Sequence, residues 1–435
     1  MYKIKHVKIS GIWGWKTIET DFYDDVSIFI GTNGTGKTTF INILISVLRV
    51  DVSSLDELWF DSAQITFEKI IGSSIRKRTL IITRDSDEYG EVIKYKLSRL
   101  VYRIPSMDGR TLRSAYVQRR IAPIAEEVRS QIQNLIKFSS LSVSRAGISD
   151  IDESDFHSNL RDSNVLSPVD KTLKGLMERL KTYQLNKAET SKDIAREFQE
   201  EVFISVLYNK DIDSSVGLDK ISNKDLQNEM AMLQKTYYEM GIQNIARKGK
   251  AKELIKKHFD AIQESIKYLQ ETMAEKKVAF EVNKIFAFPL LKRTRLIIEA
   301  GRLADNRRKE LFAPLTHYRT QLQSFFKDKT PNLKSDGALT FVDNKRGGEY
   351  DYLKLSSGEK QVLILLTEAL LQEGESKLYI ADEPELSLHI DWQGKIIPSI
   401  RSINRNAQII IATHSPEVAG EYPYNVLDME DICSE

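Results

Sequence analysis

Three short stretches, far apart in the chain, carry residue types suited to a polyphosphate. Gly31-Thr-Asn-Gly-Thr-Gly-Lys-Thr38 satisfies G-x-x-x-x-G-K-[ST] at every fixed position. It follows the apolar run VSIFI and precedes TTFINILISVL, so a strand before it and a helix after it are predicted. Glycines there let backbone N–H groups curl around phosphate oxygens, and the helix N-terminus adds partial positive charge. Asn33, Gly34, Gly36, Lys37, Thr38 and Thr39 are therefore candidate ATP ligands, with Lys37 reaching the terminal phosphates and Thr38 holding Mg2+.

The second stretch, LYIADE, is an apolar run ending in Asp382 and Glu383. Acids at a strand end are common surface features. Paired with a phosphate loop, Asp382 becomes a candidate Mg2+ ligand through water, and Glu383 a candidate catalytic base that polarises an attacking water. His414 follows another apolar run, QIIIAT. A lone histidine there is ordinarily structural, but the C-terminal ends of parallel strands line the ligand crevice, which places His414 to sense a γ-phosphate. The third stretch is LSSGEKQ, ahead of VLILLTEALL. Ser356 and Glu359 stand three apart, a capping box that is by itself sufficient reason for the sequence. The same turn, Ser356-Ser357-Gly358-Glu359, could equally offer hydroxyl, backbone N–H and helix dipole to an anion, and taken alone it leaves both readings open.

The elements that must position these residues read as follows. KIKHVKI, KTIETDF and VSIFI are predicted strands, and residues 79–103 a hairpin turning at Glu88–Gly90. The Ser- and Asp-rich stretch 139–168 reads as a loop or boundary. Leu173, Leu176, Met177, Leu180 and Tyr183 recur at helical spacing, and Ile255, Phe259, Ile262, Ile266 and Leu269 form a short heptad seam. That seam suits either a short antiparallel helical hairpin or a packed helical domain, with GIQNIARKGKAK (241–252) as its tip. Sheet-like sequence returns after 338, where strand, helix and strand (SKLYIADEP, WQGKIIPSIRSIN, AQIIIATHSP) argue a parallel α/β sheet. The expected organisation is an N-terminal lobe over 1–168, a helical insertion over 169–335 and a C-terminal lobe over 336–435.

The 435 residues are 41% hydrophobic and 29% charged with a formal net charge of +1, an ordinary composition without a global basic field. The single Cys433 excludes an intramolecular disulfide and fits a reducing, cytoplasmic compartment. Scattered histidines make a structural zinc site improbable. The N-terminus lacks a signal-peptide core, and no apolar run is long enough to span a membrane. Two weaker features stand apart. Arg99–Arg120 holds six arginines with Tyr102 and Tyr116 interleaved, which suits nucleic acid or an acidic phage protein, or else a solvated hairpin face. Gln64 is either a loop glutamine contacting Mg2+ or plain surface.

The order P-loop, helical insertion, LSSGEKQ, DEPELSLH, then His414 resembles the ABC-type ATPases that include the Rad50, SMC and RecF proteins. The resemblance implies an α/β head with a mixed sheet, flanking helices and a helical or short coiled-coil insertion. It further implies that two heads sandwich ATP, the Ser356–Glu359 turn of one capping the γ-phosphate held by the other. Ser357 and Glu359 depart from the transporter form of that signature and favour the non-transporter branch. DEPELSLHIDWQ and ATHSPEV are similar to the OLD group and its antiphage relatives, the PtuA-type (Septu and retron-associated) and AriA-type (PARIS) ATPases. OLD nucleases carry a Toprim domain after the ATPase, and residues 415–435 are too few for one. The resemblance therefore implies a homodimer of heads or higher homo-oligomer that controls a separately encoded HNH or Toprim effector nuclease. Rival readings are a repair or chromosome ATPase that binds DNA directly, and an ATP-gated binding module that does not hydrolyse.

Overall fold

The computed structural model describes residues 2–87, 90–106, 115–142, 167–207, 223–239, 250–274 and 281–434. Glu88 and Tyr89 of the expected hairpin turn, Arg110 and Arg113 of the basic run, residues 143–166 of the Ser-rich stretch and 241–249 of the helical tip lie outside these residues.

The chain opens with β1 (Lys3–Ile12), β2 (Lys16–Asp21) and β3 (Val26–Ile30), followed by α1 (Lys37–Arg49) and α2 (Val52–Glu57). Four strands come next: β4 (Ser62–Ile71), β5 (Ser74–Asp87), β6 (Gly90–Leu97) and β7 (Leu100–Pro105). After α3 (Ala115–Leu135) and β8 (Phe138–Ser142) the chain turns helical. The helices are α4 (Pro168–Val206), α5 (Asn223–Glu239), α6 (Lys250–Ala274), α7 (Val282–Ile285) and α8 (Phe288–Phe325). Then follow β9 (Lys329–Leu333), β10 (Leu339–Asp343), β11 (Glu349–Asp351), α9 (Ser357–Leu371), β12 (Leu378–Asp382), α10 (Ile390–Ile403), β13 (Gln408–Ala412), β14 (Val426–Asp428) and β15 (Cys433–Ser434).

Among the described residues these strands make three sheets. A parallel sheet runs β14-β3-β13-β12-β8, and an antiparallel one runs β15-β2-β1-β4-β5-β6-β7. A small antiparallel sheet joins β11, β10 and β9. In the parallel sheet β12 and β13 are buried at every position and β3 at all but its last, the pattern of strands covered on both faces. In the antiparallel sheet burial alternates: Ala63, Ile65 and Phe67 of β4 and Leu80 and Ile82 of β5 face inward. One core joins the two, with α1 at its centre: Phe40, Ile41, Leu44, Val47 and Leu48 pack with Ile4, Val7 and Ile9 of β1 and with Phe29, Ile380 and Ile410 of the parallel sheet. A helix apolar on nearly all sides belongs between two layers. Each such fully buried side chain contributes about 1.5–3 kcal/mol, so the core holds the start of α1 in a fixed place.

The chain divides into two compact units, 1–182 with 317–435, and 183–316. Where the sequence places the insertion at 169–335, α4 and α8 run across these boundaries, and Leu173, Leu176 and Leu180 are buried in the first unit. In the second unit Phe259, Ile262, Ile266 and Leu269 pack with Leu226 and Leu233 of α5 and Phe288 and Leu291 of α8. The heptad-like seam of α6 therefore faces a packed helical cluster. Two expectations need correction. Phe138–Ser142 belongs to a strand of the parallel sheet, paired with Leu378–Asp382, although it overlaps the stretch read as a loop. The return of sheet begins at Lys329 and not after 338, in an edge strand that carries Pro331, where a missing N–H is tolerated. Among the described residues no helix is long and apolar enough to cross a membrane.

Candidate functional site

The loop between β3 and α1 wraps on glycines with left-handed backbone. Gly34 has φ +89° and Gly36, the N-cap of α1, φ +102°, a region that other residues enter only with strain. No side chain caps α1 and no acid stands in its first turn, which leaves the N–H groups of Lys37, Thr38 and Thr39 available to an anion. Lys37 is buried and donates to the carbonyls of Gly31 (2.7 Å) and Thr32 (3.0 Å) of its own loop. Burial holds its ammonium below the usual lysine range, opposed by the nearby carboxylates of Glu383, Asp382 and Asp428. Asn33 and Gly34 are exposed at the tip of the loop.

Asp382 ends β12 beside this loop. Its carboxylate accepts a hydrogen bond from the Thr38 hydroxyl, while Oδ1 is buried with no hydrogen-bond partner. Burial, with Glu383 and Glu385 close by, raises its pKa against the pull of Thr38 and Lys37. An orphaned anionic oxygen next to a threonine hydroxyl fits a hard cation such as Mg2+. Among the described residues no group of three or more His, Cys, Asp or Glu side chains could hold a metal. Phosphate and water oxygens would have to complete the shell, as Mg2+ prefers.

Glu383 takes a left-handed conformation (φ +46°) that turns it off the strand, and its N–H donates to the Ala412 carbonyl at the end of β13 (2.8 Å). A non-glycine residue held there marks backbone that its surroundings over-determine. His414 Nε2 lies 3.4 Å from Glu383 Oε1, so the two candidate catalytic residues meet although 31 positions separate them. Behind them Glu385 is buried; it accepts from the Thr413 hydroxyl and from the His414 N–H (3.3 Å). Burial raises the Glu385 pKa, and its Oε2 also lacks a partner.

The Ser356–Glu359 turn forms the full capping box. The Glu359 N–H donates to Ser356 Oγ (3.4 Å), and the Ser356 N–H to Glu359 Oε2 (2.8 Å). Lys329 Nζ adds an ion pair at 2.6 Å. Burial works to raise the Glu359 pKa, but Lys329 and Ser356 together hold it below the usual range. Ser357 is exposed. Gly358 abuts the next motif: a Cβ there would stand 2.5 Å from the Ser387 carbonyl oxygen. Gln361 donates to the Pro384 carbonyl (2.7 Å), a second tie between α9 and the turn after the acid pair.

Sequence reasoning missed several neighbours. Trp13, in the β1–β2 turn, comes within 3.4 Å of where a Cβ on Gly36 would sit. Lys16 lies 5.8 Å from its ring centroid and donates to the Thr35 carbonyl (2.6 Å). The signal was the pair of tryptophans in GIWGWK. Asp428, near Lys37, comes from β14 and had no local signal. Gln64 lies inside β4, exposed and paired with Lys8 and Ile81, and not in the loop that its suggested Mg2+ role needs. Of the basic run, Arg99 is exposed in the β6–β7 turn and Arg103 is exposed within β7.

A P-loop at the end of a parallel strand, an acid pair ending the strand two places away in the sheet, a histidine after the strand between them, and a capped Ser-Ser-Gly turn together make the arrangement expected from the sequence resemblance to ABC-type ATPase heads. The chain belongs to the AAA ATPase domain family, whose pattern it matches over residues 2–419. It is 34% identical over 99 residues to the Retron Ec83 probable ATPase of Escherichia coli, a stretch covering 20% of this chain and 18% of that protein. It is 38% identical over 73 residues to Protein ea59 of Escherichia phage lambda, covering 16% and 14%. The chain thus matches under a fifth of the length of either relative. Among solved structures, an SMC head domain with an extended coiled coil bound to the C-terminal domain of ScpA, derived from Pyrococcus furiosus, aligns at 13% identity. That alignment covers 98% of this chain and 93% of the other at a TM-score of 0.41, an overlap too loose to assign anything by itself.

Proposed function

We propose that the chain is an ATP-hydrolysing head that acts in pairs and controls a separately encoded effector nuclease in antiphage defence. The observation that carries the ATP chemistry is the convergence of Lys37, Thr38, Asp382, Glu383 and His414 at the ends of β3, β12 and β13, with Oδ1 of Asp382 buried and unpartnered. In this reading the α1 N-terminus and Lys37 bind the β- and γ-phosphates, Lys37 leaving the carbonyls of its own loop to do so. Thr38 and Asp382 would hold Mg2+, which when bound neutralises phosphate charge. Glu383 orients and polarises the attacking water, and His414, in contact with Glu383, senses the γ-phosphate. Trp13 flanks the P-loop as a stacking surface for the base.

The exposed Ser357 and the α9 N-terminus would cap the nucleotide of a second head, so the working unit is a homodimer at least. Similarity to a retron ATPase supports a place in antiphage defence, as does the likeness of DEPELSLH and ATHSPEV to the PtuA- and AriA-type ATPases. Turnover tests the core of this reading. Glu383→Gln should bind ATP while hydrolysing it at least about a hundredfold more slowly, the range for losing a positioned base. Lys37→Ala should fail to bind. Wild-type turnover by Glu383→Gln would remove Glu383 from the chemistry. Toxicity of the effector encoded beside this gene should vanish with either variant, and toxicity indifferent to both would sink the controlling role.

A further inference from the structure

The β4–β5 hairpin extends beyond its sheet. β1 pairs with β4 only as far as Glu68, and β6 with β5 only from Leu80 onward. Residues 69–78 are left as a two-stranded ribbon, paired Lys69 to Arg76, Ile70 to Ile75 and Ile71 to Ser74. Residues 70–78 are exposed throughout. A lone ribbon has no layer to cover it and gains little stability of its own. Yet this one carries three isoleucines, Ile70 at 69% exposure, Ile75 at 58% and Ile71 at 43%.

The strand period sorts its side chains. One face holds the directly opposed Ile70 and Ile75, next to the Glu68–Lys77 ion pair (2.6 Å). The other holds Lys69, Arg76 and Arg78 with Ile71. Arg78 reaches only the Ser98 hydroxyl (3.4 Å), and among the described residues no carboxylate pairs with Lys69 or Arg76. Arg99 lies in the adjacent β6–β7 turn, at the same end of the sheet. The strand edge of β5 from Ser74 to Arg78 has lost its β6 neighbour, so its backbone groups are open to another strand.

We infer that this ribbon docks a partner protein by strand addition along the open edge of β5, taking an extended segment that alternates apolar and acidic residues. Alternation follows from the ribbon's own period: an added strand sets one side chain in two beside Ile75 and the next beside Arg76 and Arg78. Charge complementarity selects acidic residues for the second set. A second copy of this chain is disfavoured, because its edge would bring the same cations opposite one another. Duplex DNA would use the cations but leave the Ile70–Ile75 pair and the open backbone edge without a role.

The test uses the full chain without nucleotide, so that its outcome does not depend on the ATP site. A fluorescein-labelled peptide alternating valine with glutamate is titrated by fluorescence anisotropy, beside a peptide of the same composition in two blocks and a labelled DNA duplex. The alternating peptide should bind, and Arg76→Glu with Arg78→Glu should weaken it at least about tenfold, with an unchanged thermal melt. A valine–lysine peptide should prefer that reversed variant. Ile75→Thr, which keeps the cations and the strand preference, should also weaken binding. Equal affinity for the block peptide, indifference to the charge reversal, or binding of the duplex alone would each overturn the proposal.

Discussion

Replacing Asp382 by asparagine should move two properties of this protein in opposite directions. The carboxylate is buried, one of its oxygens has no partner, and Glu383 and Glu385 crowd it with like charge. A buried unsatisfied group costs about 1–3 kcal/mol, more when charged. Removing the charge should therefore stabilise the nucleotide-free protein by about 1 kcal/mol, or about 2 °C in melting temperature for a unit of this size. The same change removes the anionic contact to Mg2+ proposed for this residue. Taking about 2 kcal/mol for that contact, affinity for a magnesium-loaded, non-hydrolysable ATP analogue falls roughly thirtyfold. At a ligand concentration of 100 times the wild-type Kd, ligand-induced stabilisation should shrink from about 2.7 to about 0.9 kcal/mol. Differential scanning fluorimetry with and without ligand reads both effects on one plate. The raised pKa adds a pH signature. The charge penalty is present above the folded-state pKa and disappears as the pH falls toward the ordinary aspartate value, so the advantage of Asp382→Asn should fade on acidification. A lower melting temperature for the ligand-free variant, or an undiminished magnesium-dependent shift, would refute this account of Asp382.

The composite site can be tested by mixing. Lys37→Ala and Ser357→Arg should each be inactive, and under conditions where heterodimers form their mixture should regain part of the ATP turnover; a dead mixture would exclude a shared site. Trp13→Ala should weaken ATP binding by about 1 kcal/mol, roughly fivefold, while leaving inorganic triphosphate binding unchanged, and equal loss for both ligands would assign Trp13 to loop packing instead. Gly358→Ala should lower turnover without lowering ATP affinity, because its methyl group would displace the Ser387 carbonyl and not the P-loop; normal turnover would show that the turn yields freely.

Much of the candidate site was legible because phosphate-binding motifs are contiguous in sequence. The P-loop, the acid pair and the signature turn are each local, and VSIFI, LYIA and QIII read as strands because both of their faces are buried. What was missed depends on distant partners. Phe138–Ser142, written FSSLS, has little apolar character, and its strand form comes from pairing with Leu378–Asp382. Pro331 and its polar neighbours hid β9, which exists because β10 offers it a ladder. Trp13, Glu385 and Asp428 reach the site through the packing of β1, the turn after β12 and the β3–β14 pairing, and no spacing in the sequence announces that. The α6 seam has the same limit: its period reports an apolar stripe and not the helices that cover it.

The question of whether the Ser356–Glu359 turn is a helix start or a ligand site has a physical resolution in how its groups are used. Ser356 and Glu359 are committed to each other, and Glu359 also to Lys329, which fixes the turn from within its own chain. Ser357 stays exposed at the N-terminal end of α9, where Lys329 offsets the charge of the capping Glu359. Gly358 and Gln361 meanwhile lock α9 to the Pro384–Leu388 turn, which leads straight out of Asp382 and Glu383. The capping box would thus make the proposed anion site at Ser357 rigid, and the turn is bonded to the backbone that follows the acid pair. In a paired assembly, an anion seated at Ser357 by a second head would press on a turn only four residues from the Glu383 that serves the chain's own nucleotide. In the proposed pair, capping and ligand binding would be one device, and the close contact at Gly358 would be the point where one head's nucleotide is felt by the other's proposed catalytic acid.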